Sequence, residues 1–165
     1  MNRIEFNQLM HHLRPRLYRF VLAFTRHSDE SEDIVQEIGV KLWERRAELD
    51  SLKSVEAYAI CSAKNRCLDL IRTQHRTTDL NEAVHNTTDK TPYQSTEQAD
   101  TVAFIRKMID RLPVQQQMVI RLRDIEGYEL DEIARMMEMN EGAVRTNLSR
   151  ARQKIREELL KQMKT

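Results

Sequence analysis

The sequence predicts an all-α chain. It should consist of two small helical domains, an N-terminal helical bundle and a C-terminal helix-turn-helix domain, joined by a flexible linker. Three observations lead there. Among 165 residues there are only three Gly and three Pro, which favours long helices over strands with tight turns. Apolar residues recur at helical spacing in residues 1–76 and again in 101–165. Between them, residues 77–100 are rich in Thr, Asn, Asp and Gln, contain Pro92 and carry no apolar stripe, so they read as the linker.

Ile4–His12 and Pro15–Thr25 read as two consecutive helices, because Pro15 suits a first helical turn, where its missing N–H is not needed. Ser28 or Asp29 should cap the next helix, with Asp29 and Glu32 at capping-box spacing. That helix should run to about Ala47. Its buried stripe is Ile34, Val35, Ile38 and Leu42. Asp33, Gln36, Glu37, Val40 and Glu44 point the other way. Residues 28–37 hold five acids and no base. An outward Val among carboxylates suits a docking face for a basic partner, although periodicity alone favours a plain solvated acidic face. Trp43 fits a core or domain-edge position better than a stacking platform.

Glu48–Lys53 reads as a loop and Ser54 as the cap of a long helix from Val55 to about Arg76. Ala57, Ile60, Cys67, Leu68 and Ile71 gather on one side of it. Tyr58, Ser62, Asn65, Asp69, Arg72 and Arg76 form a polar stripe about 27 Å long on the other, flanked by Arg66. Such a stripe could follow a single nucleic-acid strand, with a base stacked on Tyr58, or be an ordinary solvated face. Cys61 and Cys67 stand about 9 Å apart along the helix, beyond disulfide reach, and read as small core residues.

In the second domain, Thr101–Leu112 and Val114–Asp124 are helices separated by Pro113, and Glu126-Gly127 ends the latter. Glu129–Met137 is a short amphipathic helix, Glu138–Asn140 a tight turn, and Glu141–Leu160 a basic helix capped by Asn140. This is the helix-turn-helix pattern that lays its second helix in a major groove. Residues 142–164 contain seven Lys or Arg and two Glu, whereas residues 121–141 contain three Arg and seven acids. Cation and acid are thus segregated along the chain. Val144, Leu148, Ala151 and Ile155 share one face and should pack on Ile133, Ala134 and Met137. Gly142, Thr146, Ser149 and Gln153 lie opposite, flanked by Arg145, Arg150 and Arg156. Small polar groups can approach base edges and arginines can reach bases or phosphates. Gly142 would let the backbone come close to DNA. Glu138 falls where a left-handed residue is usual, at a cost of about 1 kcal/mol.

No run approaches the length of a membrane span, and Met1–Gln8 lacks a signal-peptide stretch, so a cytoplasmic protein with no membrane insertion is expected. Asn86-Thr-Thr matches a glycosylation sequon, which in the cytosol is chance. No cofactor or metal is expected: Glu82-x-x-His85 has di-iron spacing but occurs once, without the second helix such a site needs.

These pieces coincide with a family. Asp29-Glu-Ser-Glu-Asp-Ile-Val-Gln-Glu-Ile-Gly-Val-Lys-Leu-Trp43 resembles the core-polymerase-binding helix of bacterial sigma factors. Ala57-Tyr and Lys64-Asn-Arg-Cys-Leu-Asp-Leu-Ile-Arg72 resemble their −10 recognition helix. Gly127-Tyr-Glu-Leu-Asp-Glu-Ile-Ala134 and Glu141-Gly-Ala-Val-Arg-Thr-Asn-Leu-Ser-Arg-Ala-Arg152 resemble the −35-binding helix-turn-helix. Having only these two domains is similar to the extracytoplasmic-function group.

The resemblance implies a non-enzymatic transcription initiation factor that binds core RNA polymerase, directs it to promoters and aids melting. A stand-alone helix-turn-helix regulator is the alternative. It implies that Asp33, Gln36, Glu37 and Val40 meet the polymerase β′ coiled coil, and that the β flap is a further contact. Tyr58, Ser62, Asn65, Arg66, Asp69 and Arg72 would lie along promoter DNA at −10, and Glu48–Lys53 would hold a flipped base. Gly142, Arg145, Thr146, Ser149, Arg150 and Gln153 would read −35. An anti-sigma factor is implied as a further partner. One departure is Gly39, where the family usually has a large apolar residue, so loose local packing is expected there.

Overall fold

In the computed structural model the backbone is described for residues 1–78 and 97–164, and side chains for residues 1–74 and 99–164. The linker expectation for residues 79–96, with Glu82-x-x-His85 and the Asn86 sequon, lies outside the described residues, as does the Arg76 side chain. The described residues form helices and turns without a strand. They group into two compact units, Met1–Thr87 and Thr88–Thr165.

In the first unit, α1 (Arg3–Thr25) is one helix rather than the expected two, with Pro15 inside it. Asn2 caps it reciprocally: its Oδ1 accepts from the Glu5 N–H, and the Glu5 carboxylate accepts from the Asn2 N–H, both at 2.9 Å. Phe6, Met10, Leu13, Leu17, Phe20 and Val21 form one buried stripe running past Pro15. An interior proline costs about 3 kcal/mol. Each large apolar side chain buried contributes about 1.5–3 kcal/mol, so the stripe holds the helix together across the break. Arg26 ends it in the left-handed region at φ 61°.

Helix α2 (Ser28–Glu44) starts at Ser28, the first of the two expected caps, and the Asp29–Glu32 box does not form. His27 takes the cap position. Its carbonyl accepts from Ser31 Oγ at 2.7 Å, and Ser31 Oγ also meets Thr25 Oγ1 at 2.6 Å. The two hydroxyls are buried and satisfy each other. The chain then turns off early into α3 (Arg46–Leu49), which drives Leu49 into the core at 2% exposure. Glu48 and Leu49 are therefore helical, and the loop starts at Asp50. Trp43 stands half-buried, edge-on to Phe6 with centroids 5.0 Å apart, and the Arg46 guanidinium lies 4.0 Å over its ring. Packing at Gly39 is not loose: a Cβ there would stand 3.3 Å from the Met10 methyl, which already fills the space.

Helix α4 (Val55–Thr78) is capped by Ser54, whose Oγ accepts from the Ala57 N–H at 3.0 Å. It packs on α1 and α2 through Ala57, Ala59, Ile60, Ala63 and Cys67. Ala59 and Ala63, one turn apart and fully buried, let the backbones approach. Leu68 and Ile71 are only half-buried.

In the second unit, α5 (Glu97–Asp110) begins four residues before the expected Thr101. Pro113 caps α6 (Val114–Ile120). Gln117 Nε2 seals the corner by donating to the carbonyls of Asp110 and Leu112, at 3.1 and 2.7 Å. The expected helix to Asp124 instead widens into a π turn, Arg121–Ile125. It closes with Glu126 N–H on Arg121 O and Tyr128 N–H on Leu122 O, both 3.0 Å. Gly127 follows at φ 80°. Helix α7 (Leu130–Met137) then leads to α8 (Glu141–Met163), which packs on α5, α6 and α7. Met118, Leu122, Ile133, Met136, Val144 and Ala151 form the centre.

Candidate nucleic-acid interface and docking face

The turn between α7 and α8 decides where α8 points. Glu129 and Glu132 form a capping box at the start of α7. Glu138 ends α7 in the left-handed region, at φ 55° and ψ 45°, the position where the sequence places that strain. Asn140 caps α8, its Oδ1 accepting from the Ala143 N–H at 2.7 Å. A Cβ on Gly142 would stand 3.3 Å from that Oδ1, so Gly142 gives room to the cap. Val144, Leu148, Ala151 and Ile155 are buried against Ile133, Met136 and Met137, with Ala134 half-buried. This register leaves Gly142, Arg145, Thr146, Ser149, Arg150 and Gln153 all exposed. Thr146 Oγ1 donates to the Gly142 carbonyl at 2.9 Å, keeping its lone pairs outward. Among the described residues Arg145 reaches only Glu141 of its own helix, at 3.4 Å.

Arg152 is held differently. Its Nε and Nη2 donate to Oδ2 and Oδ1 of Asp124 on the π turn, at 3.0 and 2.5 Å. This side-chain hydrogen bond raises the guanidinium pKa above its ordinary value. The sequence reading missed the pair, because nothing local links positions 28 residues apart. An apolar groove of about 500 Å³ opens beside it, lined by Val102, Ile105, Ile109, Ile120, Ile125 and Leu159.

In the first unit, the α4 stripe is graded. Tyr58 and Ser62 are half-buried; Asn65, Arg66, Asp69 and Arg72 are exposed. Tyr58 Oη accepts from Arg45 Nη1 at 2.9 Å, and Ser62 Oγ donates to the Tyr58 carbonyl at 3.0 Å. Arg45 holds the Tyr58 hydroxyl, a contact sequence spacing does not show. Arg72 and Asp69 stand 3.9 Å apart. On α2, Asp33, Gln36 and Glu37 are exposed around Val40, which is 56% exposed. Glu37 reaches across to Arg66 of α4, 3.3 Å away, so the acidic face and the polar stripe share one ion pair. Cys67 is buried, and burial pushes its thiol up to about 12; Cys61 is half-buried, and neither is in a disulfide. Among the described residues no helix is long and apolar enough to cross a membrane, and no group of three or more His, Cys, Asp or Glu is placed to hold a metal.

A helix-turn-helix with an exposed cationic second helix in one unit, and an acid-faced helical bundle in the other, define the class of helix-turn-helix DNA-binding proteins. Models of sigma-70 region 2 and sigma-70 region 4 match residues 9–77 and 105–155. The ECF RNA polymerase sigma factor SigM of Mycobacterium tuberculosis is 27% identical over 156 residues, spanning 93% of this chain and 76% of that one. The ECF RNA polymerase sigma factor SigX of Bacillus subtilis is 24% identical, spanning 87% of this chain and 77% of that one. Among solved structures, the sigma factor RpoE of Bartonella quintana, in complex with the anti-sigma factor NepR, aligns with TM-score 0.70. Its identity is 22%, over 94% of this chain and 96% of that one. CnrH, in complex with the cytosolic domain of CnrY, aligns with TM-score 0.69 and 21% identity, over 96% and 89% of the two chains. The chain belongs to the extracytoplasmic-function group of sigma-70 factors, the promoter-directing subunits of bacterial RNA polymerase.

Proposed function

We propose that α2 binds core polymerase, α4 follows the −10 element and α8 reads the −35 element. The observation that carries this is the register of α8. One face is wholly buried, so Arg145, Thr146, Ser149, Arg150 and Gln153 stand together in solvent behind a satisfied N-cap. Helix N-termini attract phosphate, which orients the helix before bases are read. On α2, Asp33, Gln36 and Glu37 around Val40 offer a charged rim and an apolar centre to the basic side of the β′ coiled coil. The apolar groove of the second unit is the seat proposed for the β flap. Tyr58 supplies a stacking ring at the loop end of α4, and Asn65 and Arg72 continue the track. The 50–53 loop is proposed to hold a base extruded at a few kcal/mol, drawn from binding. The chain works in the cytoplasm and makes no bond itself; nucleotide chemistry belongs to the polymerase. An anti-sigma factor is proposed as the partner that holds it idle.

The experiment is transcription in vitro with sigma-free core polymerase and a library of promoter fragments. Start sites that appear only when the chain is added support the reading. A chain that binds DNA but neither co-elutes with core enzyme nor yields transcripts overturns it in favour of a stand-alone regulator.

A further inference from the structure

Arg152 lies on the border of the DNA-facing side of α8. At 3.6 residues per turn it falls about 20° from Arg145 and about 40° from Arg156. All three line one concave surface with Ser149 and Gln153. By position it belongs with the cations that meet phosphate. By geometry it does not: both its Nε and an Nη are turned onto Asp124, and the pair spans from α8 to the π turn. Arg145, in contrast, makes a longer contact within its own helix, which a phosphate can displace.

We propose that Asp124 is a specificity-determining residue that withholds Arg152 from the DNA phosphates. This rests on the reading of α8 as the DNA helix. A cation that reaches phosphate adds affinity for any sequence and makes binding more salt-dependent. Random DNA outnumbers promoters, so discrimination is set by the ratio of the two affinities rather than by either alone. Asp124 lowers the sequence-independent part. On random DNA the helix is free to slide an unlatched Arg152 over a phosphate, whereas base contacts at a promoter fix its register. A bidentate carboxylate–guanidinium pair suits the task, since its directional geometry resists exchange better than a single contact.

The test is the binding of the full chain to a 30-base-pair duplex of random sequence, measured by fluorescence anisotropy between about 50 and 200 mM salt. Asp124→Asn is expected to steepen the plot of log affinity against log salt by about 0.9, which adds roughly a 3.5-fold loss over that range. Arg152→Ala is expected to leave the slope of the native chain unchanged, and the double variant to match Arg152→Ala. Arg152→Ala breaks the same ion pair, so any general loosening of the domain appears in it as well, and the double variant separates release of the cation from loss of the Asp124 charge. An unchanged slope in Asp124→Asn overturns the proposal. So does a slope shallower by about 0.9 in Arg152→Ala, which would put Arg152 already on phosphate. The Arg145→Ala/Arg150→Ala double variant is the control for the reading beneath: a slope that fails to fall there overturns α8 as the DNA helix, and this proposal with it.

Discussion

Gly39→Ala is expected to stabilise the first unit. Gly39 lies inside α2, where alanine is worth about 0.8–1.0 kcal/mol over glycine. Against this stands the Met10 methyl, 3.3 Å from where the new Cβ would be. Ordinary carbon contacts are about 3.5–4.0 Å, so the methyl must retreat by a few tenths of an ångström. Met10 has three rotatable bonds and adapts well. It also borders an open groove of about 750 Å³ with Asn7, His11, Glu32, Val35 and Gln36, so the methyl has space to move into. A modest off-rotamer shift costs about 0.5 kcal/mol, which leaves a gain of roughly 0.5 kcal/mol, or about 2–4 °C in Tm. The assay is urea unfolding followed by Trp43 fluorescence. Trp43 is the single tryptophan of the chain and sits one turn beyond Gly39, so it reports this unit alone. The midpoint should rise with the m value unchanged. Gly39→Leu should lose about 1–3 kcal/mol through overpacking. A destabilised Gly39→Ala would mean that Met10 cannot yield, which refutes the expected gain.

Asn140→Ala should cost the second unit about 1 kcal/mol, and Asn140→Gly only a few tenths; thermal melts by circular dichroism decide, and equal losses would deny Asn140 its capping role. Asp33→Arg should weaken retention on core polymerase at least tenfold while Trp43-detected stability stays within about 0.5 kcal/mol; unchanged retention removes α2 as the docking face. The Cys67 thiol, raised from 9.0 to about 12, stays protonated in the fold at pH values where the unfolded chain has lost that proton. Its contribution is complete below pH 9.0 and falls by about 1.4 kcal/mol per pH unit from there toward 12. Cys67→Ala should flatten that alkaline loss in urea melts, and an identical slope would contradict it.

Much of α8 was legible in the sequence because a long helix repeats its own pattern. Val144, Leu148, Ala151 and Ile155 set the inward face several times over, and the outward face follows. Glu138 was legible for a different reason: a two-helix motif of this length leaves one place for a left-handed residue. Pro15 misled, because local chemistry favours a helix start there and only the tertiary stripe from Phe6 to Val21 overrides it. The cap of α2 misled likewise: Asp29 and Glu32 have the spacing, but Ser31 is drawn inward to Thr25. The π turn has no local signature among Arg121–Ile125. The Asp124–Arg152 and Glu37–Arg66 pairs join residues 28 and 29 positions apart, and charge patterning cannot say which acid meets which base. The site was therefore readable as faces, not as pairings.

Pro15 divides α1 in one respect that its packing conceals. No amide at that position can donate back to the His11 carbonyl, so the ladder of the helix has a missing rung midway. Cooperative opening travels along such ladders, and a gap is where it stops. Amide deuterium exchange should find two protection classes within this one rod: a leading segment around Phe6 that opens on its own, and a trailing segment around Leu17 to Val21 that exchanges only when the whole bundle does.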